Sequence, residues 1–228
     1  MNKMQEEPWY LQERIVKEYE AYYQTKYKRA DLLEKGLLRK LLEQFNGVGK
    51  LLEVGCGTGH FTRWIESLGS ECYGLDMSSL MLKEAKKLWI NGRFLKGESS
   101  NLPFRSKSFD VIMFVTSLEY MPKVTAVFAE ATRVARKGIV IGLMNKWSPP
   151  TIRKIIQVRM RRNPHYRNAK FYSIFDMKRI LHETLSGKYS IVYWRTTAFP
   201  RVFGKLESAR FPFGSFLGIA VKLDDRYA

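Results

Sequence analysis

Cysteine is nearly absent: Cys56 and Cys72 are the only two in 228 residues, and neither belongs to a Cys-x-x-Cys pair. A disulfide framework and a cysteine metal site are thereby excluded, and a reduced, cytoplasmic protein holding no metal is expected. Long hydrophobic runs are missing as well. The longest, such as Val111 to Val115, are strand-sized, far short of the roughly 18 residues of a membrane span. The opening Met-Asn-Lys-Met-Gln-Glu-Glu-Pro has no apolar signal region. Internal repeats and low-complexity tracts are lacking, which leaves no solenoid or linker to place. Histidine is sparse, with only His60, His165 and His182.

Acidic residues run out toward the second half. Residues 1–144 hold 22 Lys/Arg against 17 Asp/Glu, a net of +5, whereas residues 145–228 hold 17 against 5, a net of +12. From Lys146 to Lys170 there are eight basic residues and no acid. Such a bias suits an acidic partner or an anionic surface, and it also suits a plain solvated face. The apolar content of 45% with 14% aromatics is that of a globular chain, long enough for one large domain with a cap.

Periodicity predicts helix over roughly Trp9 to Phe45, with Leu32, Leu33, Leu37, Leu38, Leu41 and Leu42 at three- and four-residue intervals. Asn46-Gly47-Val48-Gly49 stops it. Strands are expected at 50–54, 71–75, 93–96, 109–115 and 139–144, alternating with helices near 60–68, 78–90 and 123–135. That rhythm implies right-handed crossovers and a parallel sheet covered on both faces. Ser148-Pro149-Pro150 starts a basic helix over 151–162, and another is expected from Asp176 to Leu185. Two β-rich runs, 189–196 and 216–223, predict an antiparallel hairpin on one sheet edge.

The chemistry begins at Leu51-Leu52-Glu53-Val54-Gly55-Cys56-Gly57-Thr58-Gly59, an apolar strand carrying one acid and then three glycines at alternate positions. Bare backbone of this kind lets a polar ligand approach the main chain, and the helical pattern Phe61, Trp64, Ile65, Leu68 sets a helix N-terminus against it. The dinucleotide fingerprint Gly-x-Gly-x-x-Gly does not fit, because its third position is His60 and the glycine comes one residue early. Asp76 closes the second strand 17 residues after Gly59. An acid there can accept both ribose hydroxyls, and Asp76 or Ser78 can also cap the following helix.

The Glu-x-Gly-x-Gly-x-Gly run resembles motif I of class I S-adenosylmethionine-dependent methyltransferases. Leu95-Lys96-Gly97-Glu98-Ser99-Ser100-Asn101-Leu102-Pro103-Phe104 followed by Ser108-Phe109-Asp110 resembles the "Gly-Asp-Ala-x-x-Leu-Pro-Phe … Ser-Phe-Asp" signature of the type-11, ubiquinone/menaquinone-biosynthesis-like branch. Glu98 replaces the usual Asp and Ser99 the usual Ala. Leu118-Glu119-Tyr120-Met121 resembles that branch's Leu-Glu-His stretch, with Tyr120 at the histidine position. Tyr19-Glu20-Ala21-Tyr22-Tyr23-Gln24-Thr25 looks like its N-terminal lid.

The resemblance implies a Rossmann-like seven-stranded, mostly parallel sheet with helices on both faces, a C-terminal antiparallel hairpin and a helical N-terminal lid. It divides one methyltransferase domain into a lid (1–46), a cofactor-binding core (47–145), a basic substrate-cap insertion (146–190) and a terminal β-hairpin (189–228). It implies S-adenosyl-L-methionine as cofactor and S-adenosyl-L-homocysteine as product. Glu53 would anchor the methionine ammonium. Gly55, Cys56, Gly57 and Gly59 would pass beneath the methionine and ribose, and Asp76 would take the ribose. Met77, Glu98 and Ser99 would meet the adenine, while Val115 and Thr116 would face the methionine half. Tyr19 and Tyr23 would close over it. Asp110 is expected to fix its loop, and Glu119 to support its own or act as a base. No residue is named as catalytic; the three histidines are candidates only in the generic sense.

The acceptor is expected to meet the lid and the 145–190 insertion. Helix 151–162 places Ile152, Ile155, Ile156 and Met160 on one face, interrupted by Arg159, with Arg153, Lys154, Arg161 and Arg162 away from it. It would roof the site, and could also lie on an anionic membrane or touch RNA phosphates. The reading is methyl transfer to a small-molecule or lipid-like acceptor. The alternatives are an RNA (tRNA) methyltransferase using the basic half, with Tyr166, Phe171 and Tyr172 stacking bases, and a non-catalytic nucleotide-binding or interaction protein.

Overall fold

The computed structural model describes residues 8–25, 27–160, 162–163, 166–200 and 204–224. After a short 3-10 turn at Trp9–Leu11 come α1 (Glu13–Gln24), α2 (Lys28–Leu42), β1 (Lys50–Val54), α3 (His60–Glu66), β2 (Glu71–Asp76), α4 (Ser79–Leu88) and β3 (Arg93–Lys96). There follow β4 (Phe109–Val115), α5 (Val124–Val134), β5 (Ala135–Met144), α6 (Pro149–Arg159), α7 (Ile174–Leu185), β6 (Tyr189–Thr197) and β7 (Phe216–Leu223).

The seven strands form one sheet in the order β3-β2-β1-β4-β5-β7-β6. The first five pair in parallel, and β7 runs antiparallel to both β5 and β6. Strand β4 shows why the sheet is central. Six of its seven residues are buried, as a parallel strand covered on both faces requires. Beyond a register irregularity between Phe109 and Val111, Val111, Met113 and Val115 face one core while Ile112 and Phe114 face the other. The first core is filled by Leu37, Leu38 and Leu41 of α2 and Ile65 of α3. The second is filled by Phe128 and Ala131 of α5 and by Met177 and Leu181 of α7. The strand order reverses between β1 and β4, and ligands of open α/β sheets bind beyond the strand ends at such a point.

Four expectations need correction. The N-terminal helix is two helices, broken where Thr25 leaves helical geometry (φ −115, ψ −88). Strand β5 starts at Ala135, four residues early, because that residue is already extended where α5 ends and no turn intervenes. Helix α6 stops at Arg159, and Arg161 lies outside the described residues. Its apolar face does not roof anything: Ile152, Ile156 and Met160 are 45%, 51% and 51% exposed. The side turned inward carries the buried Thr151 and the half-buried Ile155 and Val158. The hairpin strands stand as expected, with β7 inserted inside β6.

Phe114 and Phe128 meet edge to face with ring centroids 6.0 Å apart. Phe128→Ala should destabilise the fold by about 3–5 kcal/mol. Urea denaturation should show this as a lower midpoint at an unchanged slope.

Candidate functional site

A cavity of about 300 Å³ opens beyond the carboxyl ends of β1, β2 and β4. Its floor is the glycine loop. Gly55 has φ +77, and a Cβ there would come within 2.5 Å of the Ser117 Cβ; only glycine is accommodated. The Gly55 and Cys56 amides both donate to the Leu75 carbonyl, at 2.7 and 3.1 Å, which turns the chain off the end of β1 and along the cavity. Ser117 Oγ donates to the Val54 carbonyl at 2.9 Å and fixes the neighbouring loop.

Asp76 stands at the end of β2 and holds this floor. Its Oδ2 accepts from the Gly57 amide at 2.8 Å and its Oδ1 from the Ser78 amide at 2.8 Å. Burial raises its pKa, and the backbone donors of Ser78, Gly57 and Met77 only partly offset this. The helix cap is Ser78, whose Oγ accepts from the Met81 amide and donates to the Tyr10 carbonyl at 2.7 Å. Glu53, on β1, is buried and accepts a hydrogen bond from Thr62 Oγ1. Burial pushes its pKa up to about 8, against the hydrogen bond from Thr62 and the charge of His60.

The far wall is aromatic. Trp9 stacks on Tyr19 at 5.2 Å and meets Tyr120 edge-on at 5.8 Å. The Tyr19 and Tyr23 hydroxyls are 3.2 Å apart. Helices α1 and α2 are held against the glycine loop by a set of charges. Glu20 on α1 accepts from Thr58 Oγ1 at 2.7 Å and Arg63 Nη2 at 2.5 Å, and lies 3.2 Å from His60 Nδ1. The other ring nitrogen, His60 Nε2, is 2.7 Å from Asp31 of α2, and the imidazole stacks on Tyr23 at 3.9 Å. Burial alone would lower the His60 pKa, but hydrogen bonds to Asp31 and Glu20 outweigh it and hold it above the ordinary value. Burial works against the two carboxylates too, yet His60 with Thr58 and Arg63, and His60 with Lys35, keep Glu20 and Asp31 below theirs.

Of the residues singled out from the sequence, Tyr19, Tyr23, Glu53, Gly55, Cys56, Gly57, Asp76, Met77, Glu98, Ser99, Val115 and Thr116 all line this one cavity. Gly59 does not. It precedes α3 at φ +73, where a Cβ would sit 2.5 Å from the Phe94 ring, so packing alone requires glycine there. Thr116 also takes a left-handed φ of +47, donating its amide to the Gly142 carbonyl at 2.8 Å. Glu119 is buried outside the cavity. Its Oε1 accepts from the Met144 amide at 2.7 Å and its carbonyl from Lys170, which is a supporting arrangement. Asp110 accepts from the Gly49 and Lys50 amides at 2.9 Å each. His182 is exposed on α7, and His165 lies outside the described residues. No described residue of 146–190 lines the cavity. Sequence reasoning missed Trp9, Tyr10 and Ser117 as lining residues, and His60 as the junction of the lid. The only available signal was the adjacency of His60 to the glycine run.

Residues 52–141 match the family model described as "Methyltransferase domain". An uncharacterized protein of Methanocaldococcus jannaschii is 31% identical over 137 residues, 59% of this chain and 63% of that protein. A malonyl-[acyl-carrier protein] O-methyltransferase of Hamiltonella defensa is 32% identical over 117 residues, 50% of this chain and 45% of that protein. The chain thus spans about half the length of the curated relatives it matches. Among solved structures, a SAM-dependent methyltransferase of Thermotoga maritima, described as a possible histamine N-methyltransferase, superposes with TM-score 0.77 at 23% identity. It covers 95% of this chain and 99% of its own. Magnesium protoporphyrin IX methyltransferase of Synechocystis, with bound SAH, gives 0.60 at 17% identity over 84% and 82% of the two chains. These likenesses establish the fold.

The His60 junction makes stability depend on pH. A raised histidine pKa stabilises the folded chain below the unfolded value, and that contribution is lost as pH rises through the folded value. Wild type should therefore exceed His60→Gln in stability by more at pH 6 than at pH 9. Urea denaturation of both proteins at each pH checks this; a difference that grows with pH would overturn it.

Proposed function

We propose that this chain, whose residues 52–141 match the methyltransferase-domain family model, transfers a methyl group from S-adenosylmethionine to a small-molecule or lipid-like acceptor and releases S-adenosylhomocysteine. The observation that carries this reading is the convergence of the glycine loop, two strand-end carboxyls and an aromatic wall on one cavity. Relatives named malonyl-[acyl-carrier protein] O-methyltransferase support an acyl, lipid-like acceptor. The division expected from the sequence, with lid 1–46, core 47–145, cap 146–190 and terminal hairpin 189–228, is kept within this proposal.

The residues present fit such a cofactor. The glycine loop offers main chain with no side chain in the way. Asp76 accepts from the Gly57 amide with Oδ2 and the Ser78 amide with Oδ1 and retains acceptor capacity toward a ribose hydroxyl. The Glu98 carboxylate, exposed at the rim, can accept from an adenine amino group beside Ser99 and Met77. Glu53 suits an ammonium group, with Gly57, Val115 and Thr116 along the way between the two ends. When bound, the cofactor supplies a methyl already activated on a sulfonium.

The protein's work is then positioning and exclusion of water, which can account for a large part of a barrier of this kind. Trp9, Tyr19, Tyr23 and Tyr120 wall the cavity with apolar ring surface. Tyr19 and Tyr23 keep their hydroxyl protons, since burial drives both pKa values upward. Burial favours the protonated carboxyl of Glu53 and a neighbouring ammonium favours the ionised form, so cofactor binding is expected to release a proton.

Two outcomes are expected by calorimetry. S-adenosylmethionine and S-adenosylhomocysteine should bind, and Asp76→Ala should weaken both by about tenfold or more in protein shown to be folded; unchanged affinity would sink the ribose assignment. At pH 7, titrations in buffers of different ionisation enthalpy should reveal proton release that Glu53→Gln abolishes. Release that persists in Glu53→Gln would remove the glutamate from this role. Labelled-methyl transfer to fractionated metabolites then identifies the acceptor.

A further inference from the structure

Helix α6 turns Ile152 and Ile156 outward, and its C-cap residue Met160 continues the same line. At 100° per residue Ile152, Ile156 and Met160 fall within about 80° of arc, forming a solvent-facing stripe at i, i+4 and i+8. Arg153 and Arg159, both exposed, flank the stripe on its two margins. The helix is fixed from behind. Ser148 caps it through the Thr151 amide, and Lys154 on the inner side lies 4.4 Å from the Tyr166 ring centroid. The stripe is therefore held outward by the packing of the opposite side.

A second apolar group adjoins the start of this helix. Trp147, one residue before the cap, packs at 5.1 Å on Phe175 and at 6.5 Å on Phe213, and these two phenylalanines are 59% and 51% exposed. Aromatic rings with one face in protein and the other outward are suited to the headgroup level of a bilayer. The surrounding chain supplies the complementary charge, since residues 146–170 contain eight Lys/Arg and no acid.

We propose that α6, with the Trp147 aromatic group at its start, is a docking surface for an anionic lipid bilayer, the isoleucines and methionine entering the acyl boundary while Arg153 and Arg159 meet lipid phosphates. Branched aliphatic side chains gain nothing from a nucleic-acid backbone, whereas they gain directly from hydrocarbon. The flanking arginines explain a requirement for anionic lipid, because so short a stripe binds weakly by burial alone and needs the surface potential. The assignment does not depend on methyl transfer; an inactive or cofactor-free protein would dock equally well.

Co-sedimentation with vesicles tests it, comparing phosphatidylcholine alone with phosphatidylcholine containing phosphatidylglycerol. The full chain should partition onto the anionic vesicles and stay in solution with the neutral ones. Arg153→Gln with Arg159→Gln should lower partitioning by about thirtyfold, from about 1 kcal/mol per basic residue at an anionic surface. Ile152→Ser with Ile156→Ser should lower it by about tenfold or more, with an unchanged circular dichroism spectrum because both positions face solvent. No sedimentation with anionic vesicles would overturn the proposal. So would full binding by the Ile152→Ser/Ile156→Ser protein, which would mean charge alone is responsible. Binding to tRNA or to an acidic protein that competes with vesicles and survives the serine substitutions would assign the basic face to that partner instead.

Discussion

The carboxylate of Asp76 is the point on which the site depends. It is one group at the end of one strand, yet it takes the Gly57 amide with one oxygen and the Ser78 amide with the other. The first bond sets the height of the glycine loop above the sheet. The second sets the entry of α4 and so the place of the Ser78 hydroxyl, which in turn holds the Tyr10 carbonyl. Floor and aromatic wall are thus referred to the same atom pair. Charge-assisted bonds to backbone donors are among the stronger single contacts available to a buried acid, which suits a residue with two loops to register.

The lid uses a different physics from the floor. Its attachment is a cluster of titratable and charged groups, Glu20, Asp31, His60, Arg63 and Lys35, partly buried between α1, α2 and α3. Such contacts act beside apolar packing, since Val16 of α1 is buried and Tyr23 packs on the core that α2 and α3 share. Helix α2 is anchored more heavily, because Leu37, Leu38 and Leu41 are wholly buried against the sheet. The break at Thr25 separates α1 and the Trp9–Leu11 turn from this more deeply anchored helix.

Most of this fold was legible in the sequence because its signals are local. Buried strands read as apolar runs, the glycine loop reads as alternate glycines, and Ser148-Pro149-Pro150 reads as a helix start that is found where expected. Cavity-lining residues in the core were also legible, since each sits at a strand end whose position the pattern of elements already set. What was not legible depends on distant partners. Nothing near His60 announces that Glu20 and Asp31, 40 and 29 residues away, will bracket it. The outward face of α6 is the sharpest case. Periodicity shows that Ile152, Ile156 and Met160 share a side, but the heptad carries no information about whether that side meets protein or solvent. Gly59 is related: a Cβ at this motif position would meet the Phe94 ring, a requirement that local sequence does not announce.

The order of the sheet has a consequence for how the chain assembles. Strand β6 has a single neighbour, β7, and β7 is the one that reaches β5. As the chain is synthesised β6 emerges with no edge it can join, because the position beside β5 belongs to a strand not yet made. The five parallel strands can pair in the order in which they appear, whereas the last two must wait and enter together. During that interval β5, with Val140, Ile141 and Leu143 fully buried in the finished sheet, is an open edge, the kind of surface that recruits the wrong strand when the right one is late.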